Sequence, residues 1–202
     1  MSKSSRLVRG VGSNDNKYPA NKDGKLVKEY DLWHCMLRRC TEKFWEGYQT
    51  YTGTTCSENF KNYNYFYEWC NTQVGFGNTD EKGKVWQLDK DLLVKGNKLY
   101  SEDTCVFVPH RLNSLLLKCD TTRGEYPVGV YLEKENNKFR ARSKGEGNKR
   151  QHLGYFNTPQ EAFQAYKTFK EALIKDVANE YKNQLDPRVY EALMNYEVNE
   201  ND

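Results

Sequence analysis

The chain has 202 residues, of which 37% are hydrophobic and 29% charged, and its formal net charge is +3. This composition excludes a disordered chain and favours a folded, polar protein, for which we expect two small cores. No run approaches about 18 apolar residues, and the start, MSKSSRLVRGVGSND, lacks the apolar middle of a signal peptide. The sequence therefore predicts a cytoplasmic protein that neither spans nor binds a membrane.

Six cysteines are scattered among aromatic residues, at positions 35, 40, 56, 70, 105 and 119. In a chain with no export signal this usage favours buried, reduced thiols over disulfides. The alternative is a zinc site formed by Cys35, Cys40, Cys56 and Cys70 with His34. No CxxC pair occurs and the spacings fit no common zinc finger, so the pattern favours the thiols.

The first 28 residues are rich in Gly, Ser, Asn and Lys with little periodicity, which predicts a flexible or loosely docked arm over 1–28. Its basic residues suit contacts with phosphates: Lys3, Arg6 and Arg9. Apolar residues then recur at helical spacing over 29–40 and again over 58–71, with a turn-rich stretch between them. We expect the aromatic stripe of the second helix to be core rather than a binding surface.

Between Val85 and Leu117, two short apolar stretches, VWQLDKDLL and YSEDTCVFVP, lie on either side of the turn KGNK, and HRLNSLLLK has a helical pattern. The order predicted is strand, loop, strand and helix. Asp89 ends the first strand and Asn113 lies on the helix, so a unit that folds back brings these two side chains together. The segment TTRGEYP combines Gly, Pro and charge, which predicts a domain boundary at 121–127.

Divalent-metal nucleases need hard oxygen ligands for the metal and a base that activates water. Asp89 and Asn113 supply such oxygens, which suit Mg²⁺ or Mn²⁺ better than zinc. Asp91 shares the strand face of Asp89, with Lys90 between them. The residue types alone also fit a simple hairpin with a surface acidic pair and an Asn on the following helix.

The segment LDKDLLVKGNKLYSEDTCVFVPHRLNSLL resembles the motif of phage His-Asn-His (ββα-metal) endonucleases of the homing type. WHCMLRRC and TYTGTTCSENFKNYNYFYEWC resemble the run that precedes this motif. The resemblance spans about 29–117 and implies a nuclease domain at 29–120. It implies Asp89 and Asn113 as ligands of Mg²⁺ or Mn²⁺. By this correspondence Asp89, Lys90 and Asn113 are catalytic residues, and His110, just before the helix, is a further catalytic candidate.

Two positions depart from that family. Lys90 stands where the family has its histidine general base, and Thr104 stands where it has a central structural Asn. A lysine base needs a strongly lowered pKa, which Asp89 and Asp91 would oppose. Three solutions stay open: His110 approaches the same phosphate, the metal alone activates water while Lys90 steadies the phosphate, or catalysis has been lost.

Residues 128–155, VGVYLEKENNKFRARSKGEGNKRQHLGY, predict an antiparallel sheet with cations on one face. On the central strand four cations share one parity and two apolar residues share the other: Lys138, Arg140, Arg142 and Lys144 against Phe139 and Ala141. The segment holds seven Lys or Arg and three Glu, so its charge is about +4. A basic face with aromatic residues suits a polyanion, and an ordinary solvated strand face is the alternative.

The stretch GVYLEKENNKFRARSKGEGNKRQHLGYFNTPQEAFQAYKTF resembles the plant ethylene-response-factor (APETALA-type) DNA-binding domain over about 128–178. The resemblance implies a domain at 128–182, in which a three-stranded antiparallel sheet packs on one helix and enters the major groove. The DNA-binding residues it implies are Tyr131, Lys138, Arg140, Arg142, Lys144, Arg150, His152 and Tyr155. This chain departs from the family at His152, in place of a tryptophan, and at Glu133, in place of a cation.

The helix behind the sheet is predicted to begin after Thr158, because a capping Thr, a first-turn proline and the acidic Glu161 follow one another there. Apolar residues recur along it at helical spacing. From Asp186 onward five acids stand against the single Arg188. We therefore expect 186–202 to be an acidic tail that repels DNA and lies away from it or is disordered.

These features predict an α+β protein with an N-terminal ββα-metal nuclease unit flanked by helices and a C-terminal module of three strands and one helix. We expect a site-specific DNA endonuclease that nicks double-stranded DNA as a monomer or weak dimer. The resemblances place it in a phage or mobile element of a bacterial host. The alternatives are a catalytically inactive derivative that acts as a repressor, and an RNA-binding accessory protein.

Overall fold

The structure, a computed structural model, describes residues 7–117, 124–145 and 150–202. Helices and small sheets are mixed along the chain, which confirms the predicted α+β class. The chain folds into two compact units that divide after His110. Among the described helices, none has both the length and the apolar composition that a bilayer crossing requires.

Two helices form the centre of the first unit, and both are close to their predicted positions. Helix α1 spans Lys28–Arg39, and a short helix α2, Glu42–Gly47, follows it. Helix α3 spans Tyr63–Thr72 rather than starting at Glu58. The reason is Asn62, whose side chain accepts a hydrogen bond from Tyr65 N at 3.1 Å and so caps the helix.

The core of this unit is largely aromatic. Trp33 is fully buried, and its indole Nε1 donates a hydrogen bond to the Phe60 carbonyl at 2.7 Å. Phe60 and Phe66 meet edge to face with ring centroids 5.1 Å apart, a favoured geometry for aromatic pairs. Tyr63 and Cys70 are also fully buried. The prediction that the aromatic stripe of α3 is core is confirmed.

The predicted arm is not loosely attached over its described part, residues 7–28. Ser13 exchanges backbone hydrogen bonds of 2.9 Å with Lys61 and Tyr63. Gly12 lies so close to Trp33 that a Cβ atom would be 2.5 Å from its ring. The prediction of a flexible arm is therefore wrong for these residues, because a glycine permits this close approach. Lys3 and Arg6 lie outside the described residues.

The rest of the arm is also held by specific contacts. Tyr18 stacks on Tyr67 with ring centroids 4.0 Å apart. The hairpin of β1, Asn21–Lys22, and β2, Lys25–Leu26, leads into α1. Arg9, predicted to touch phosphate, donates a hydrogen bond to His34 Nε2 at 2.8 Å. Burial and the nearby guanidinium lower the pKa of His34, which favours the neutral imidazole that accepts this bond.

Two small sheets hold the segment in which the metal motif was predicted. Strand β3, Thr55–Cys56, pairs in parallel with β5, Leu99–Tyr100. Strand β4, Gln87–Asp89, pairs antiparallel with β6, Val106–Val108. The predicted strand, loop and strand are therefore present, and β5 is an additional strand in the connection. Helix α4 follows at His110–Leu116.

The second unit contains the predicted sheet. Strands β7, Val130–Glu133, β8, Lys138–Lys144, and β9, Arg150–Phe156, form an antiparallel sheet in that order. Helix α5, Pro159–Glu180, begins with the capping box of Thr158 and Glu161 and packs on this sheet. The buried residues of their shared core are Val130, Ala141, Ala162, Phe163, Tyr166 and Val198. The predicted three-stranded sheet on one helix is confirmed.

The acidic tail is folded, so the alternative that it is disordered is wrong, while its position away from DNA stays a prediction. Helix α6 spans Pro187–Met194, and the Asp186 side chain caps it by accepting a hydrogen bond from Arg188 N at 2.8 Å. Val189, Leu193 and Val198 are buried. Counting only charges missed this apolar stripe, which holds the tail on the unit.

Gly129 gives a direct test of this packing. Its φ is +77°, and a Cβ atom there would be 2.1 Å from Tyr166 Cδ2. We expect Gly129→Ala to lower the free energy of unfolding by about 2–5 kcal/mol, because backbone strain adds to a steric clash. Chemical denaturation measures the loss. Gly124→Ala is the matched control, since nothing lies within 4 Å of its added Cβ; equal stability of the two variants would contradict the packing.

Candidate functional site

The cross-strand register brings the predicted DNA-binding residues onto one face of the sheet. Arg140 is directly opposite Tyr131 on β7 and Tyr155 on β9. The next rows pair Arg142 with His152 on β9 and Lys144 with Arg150, while Lys138 is opposite Glu133 on β7. Paired residues point to the same side of a sheet, so all eight predicted residues share this side. We call it the basic face.

A bulge in β9 makes this arrangement possible. Tyr155 and His152 are three residues apart, so a regular strand would turn them to opposite sides. The register shifts next to Ala141 and Arg142, leaving Leu153 as the extra residue, and Gly154 has a φ of +135°. The rings of His152 and Tyr155 consequently lie 4.7 Å apart. The sequence resemblance identified these two residues, and the bulge explains why both lie on the same side of the sheet.

The two faces of the sheet differ sharply in chemistry. The side that carries Val130 and Ala141 packs on α5. The basic face carries five cations and one acid, Glu133, which leaves a formal charge of +4 with His152 neutral. Tyr131 and Tyr155 are 41% and 47% exposed on it. Exposed aromatic rings among cations suit contacts with phosphates and bases.

Both central arginines are held by neighbours on this face. The Arg142 guanidinium lies 4.4 Å from the ring centroid of Tyr131, a cation–π geometry. Arg140 Nη1 lies 3.1 Å from Glu133 Oε2. In the sequence alone, Glu133 stands out only as a departure from a family. The strand register explains its contact with Arg140, because it places Glu133 diagonally across from that residue.

In the first unit, Asp89 organises the turn after β4. Its Oδ1 accepts hydrogen bonds from the backbone N–H of Asp91 at 2.8 Å and of Leu92 at 2.7 Å. Burial raises the pKa of Asp89, and the charge of Asp91 raises it further, while the two amides oppose this shift. The positive charge of Lys90 also opposes this shift, and a further cation nearby would do the same.

Lys90, the residue at the position of the family's general base, is 8% exposed. Its Nζ lies 3.5 Å from Asp91 Oδ2 and 5.9 Å from the ring centroid of Tyr100. These contacts hold the Lys90 side chain within the turn after β4.

Asn97 is a structural residue that the sequence analysis missed. Its amide Nδ2 donates to the carbonyls of Lys90 and Leu99, both at 2.7 Å, and its Oδ1 accepts from Leu99 N at 3.1 Å. The amide thus ties the loop to the residue after Asp89. Thr104, which stands at the family's structural Asn, donates its hydroxyl to the same Leu99 carbonyl at 2.9 Å. Gly96-Asn97 in a predicted turn was the available signal.

The remaining predicted catalytic residues lie on α4. His110 is its first residue and is partly exposed, and Asn113 lies one turn further on. The unit boundary falls between them, earlier than the predicted boundary at 121–127. Arg111 instead forms an ion pair with Glu180 of α5. The pairing of Asn113 with Asp89 therefore stays a prediction.

The described residues hold no group of three or more His, Cys, Asp or Glu arranged to hold a metal ion. Within the same ranges the cysteines are free thiols, and Cys56, Cys70 and Cys105 are buried. Cys119 lies outside the described residues. Burial raises the pKa of Cys105 to about 12, so this thiol stays protonated at neutral pH.

Comparison with known proteins leaves these two sites to be interpreted from their own geometry. No protein-family model, curated protein or solved structure gives a significant match to the chain. The interpretation of the basic face rests on its register and charge. That of Asp89 rests on its burial and hydrogen bonds.

Proposed function

We propose that this protein is a site-specific DNA endonuclease that nicks duplex DNA and recognises its target through the basic face. The observation that carries the proposal is the register of β7, β8 and β9, which collects five cations and three aromatic or imidazole rings on one side. Lysines there neutralise phosphates, while arginines suit bidentate contact with guanine.

The major groove admits a two-stranded β-ribbon, and the resemblance to the plant DNA-binding domain implies that a three-stranded sheet enters it as well. The tail does not oppose this use of the face, since its helix α6 packs against α5. Recognition of RNA is less well supported, because sequence-specific RNA binding favours splayed single strands. Duplex DNA is therefore the proposed partner.

Cleavage is proposed at Asp89 on the strength of its chemistry and of the sequence resemblance. The turn uses Asp89 Oδ1, and a second hard oxygen, Oδ2, remains on a carboxylate whose pKa burial raises. This donor type fits Mg²⁺ or Mn²⁺, with Asn113 as the second proposed ligand. Such an ion, when bound, stabilises the charge that develops on the phosphate. Asn97 and the two amides hold Asp89 and its turn in position.

One observation favours a second candidate, a DNA-binding protein that no longer cleaves. Lys90 replaces the expected histidine and is buried against Asp91 and Tyr100. If neither His110 nor the metal alone activates water, the protein keeps target recognition without the cut. A repressor would need only the second unit.

A plasmid assay distinguishes the two candidates. Duplexes that the protein prefers are selected from a random library and cloned into a supercoiled plasmid. We expect purified protein with Mg²⁺ to convert this plasmid to the nicked circle, and we expect a chelator to stop the conversion. A plasmid without the selected site is the control. Tight binding of the site with no nicking in Mg²⁺ or Mn²⁺ would leave the non-cleaving candidate standing.

A further inference from the structure

Among the described residues of the basic face, Glu133 at the end of β7 is the one acidic side chain. A carboxylate there repels the phosphate backbone and lowers affinity for every duplex. Glu133 is nevertheless not turned away, because its Oε2 lies 3.1 Å from Arg140 Nη1. Both side chains are largely covered, with 28% and 32% of their surfaces exposed. The carboxylate is thus part of the face and in contact with its central arginine.

One hydrogen-bond donor of Arg140 is left unsatisfied within the described part of the chain. Its Nε is buried and has no hydrogen-bond partner among the described residues. Leaving a buried donor unpaired costs free energy, so the guanidinium is held in place by other contacts. Glu133 supplies such a contact at Nη1. Lys138, directly opposite Glu133 on β8, is exposed instead.

A fixed guanidinium has a specific use in DNA recognition. Contact with the O6 and N7 atoms of guanine requires two N–H groups in one plane at a set angle, whereas a phosphate accepts many orientations. Arg140 lies in the central row of the sheet, between Tyr131 and Tyr155. It is therefore better placed for a base than the exposed cations toward the sheet ends, Lys138, Lys144 and Arg150.

We propose that Glu133 is a positioning residue that orients Arg140 for a guanine contact, and so increases sequence preference while lowering affinity for random DNA. The inference rests on the proposed recognition of duplex DNA by the basic face. The predicted effects on affinity for random DNA and on sequence discrimination have opposite signs. Removing the Glu133 charge strengthens binding to random duplexes and weakens discrimination between sequences.

The test compares Glu133→Gln with Glu135→Gln. Both substitutions remove one negative charge, but Glu135 is exposed in the turn between β7 and β8. Fluorescence anisotropy with a selected duplex and a random duplex gives the affinity ratio for each protein. We expect Glu133→Gln to lower this ratio about tenfold, the discrimination of one base contact. Glu135→Gln is expected to strengthen both affinities alike and to leave the ratio unchanged.

A double-mutant cycle with Arg140→Ala tests whether Glu133 acts through that arginine. In the Arg140→Ala background, Glu133→Gln should change the ratio no further. Thermal unfolding of each variant confirms that the sheet is intact. An unchanged ratio for Glu133→Gln, or an equal loss with and without Arg140, overturns the inference but not the DNA-binding function. If the wild-type protein prefers no duplex over random DNA, the proposed function fails first.

Discussion

Replacing the three exposed cations of the basic face with glutamine is expected to remove most of the affinity for DNA. The variant changes Lys138, Lys144 and Arg150, which are exposed on β8 and β9. If each neutralises one phosphate, the slope of log K against log salt becomes less negative by about 2.7. The lines of log K against log salt for the variant and the wild type meet near 1 M salt. Affinity therefore falls on the order of 1,000-fold at about 50 mM and about 100-fold at 200 mM.

The control for this triple variant carries the same change of charge elsewhere. Lys22, Lys25 and Lys28 are exposed near the hairpin of the first unit. Their replacement by glutamine should leave the salt slope almost unchanged, since the proposal gives these lysines no contact with DNA. Titrations of a random duplex at four salt concentrations measure both slopes. Equal losses in the two variants would mean that net charge, rather than the basic face, determines binding.

Asp89→Asn is expected to abolish nicking while the protein still binds its site. The Asn Oδ1 can accept the same hydrogen bonds from Asp91 and Leu92, so the turn after β4 should keep its shape. What the variant loses is the carboxylate charge. Outer-shell residues of metal sites already contribute 10–100-fold, so loss of a direct ligand should slow nicking by roughly 100-fold or more.

The matched control is Glu81→Gln, which removes an exposed carboxylate from another turn of the same unit. It should nick plasmid at the wild-type rate. Anisotropy with the selected duplex and a thermal melt, run on both variants, separate a lost ligand from a lost fold. If Asp89→Asn nicks as fast as wild type, the metal centre is not at Asp89, and the resemblance in this segment does not extend to its chemistry.

The sequence predicted the parts of this fold that depend on local periodicity. Alternation along β8 identified both its apolar side and its cations, because side-chain direction on a strand has a period of two. Helical spacing found α1 in the same way, and Thr158 with Pro159 and Glu161 marked the start of α5. The bulge at Leu153 escaped prediction because a register shift is defined by the partner strand. The resemblance to a known sheet supplied Arg150 and His152 instead.

The two structural errors have a common physical cause. Gly and Ser content suggested a loose arm, and acidic content suggested a tail that lies away from DNA or is disordered, yet both segments are fixed by a few contacts made far away in sequence. Gly12 allows the arm to lie on Trp33, and Val198 enters the core beneath the sheet. The composition of a segment does not reveal such single residues, because it averages over the whole segment. The centre around Asp89 was only partly predictable for the same reason, since burial of Lys90 depends on Tyr100 from another strand.

The buried position of Val198 determines how the sheet module can be separated from the rest of the chain. The Val128 N–H donates to the Glu200 carbonyl at 3.1 Å, and Lys167 Nζ donates to the Val198 carbonyl at 3.1 Å. The last residues therefore belong to the same cooperative folding unit as β7 and α5. A fragment cut at residue 182, where the predicted domain ends, would remove Val198 from the core beneath the sheet. The smallest fragment expected to fold alone extends through Asp202.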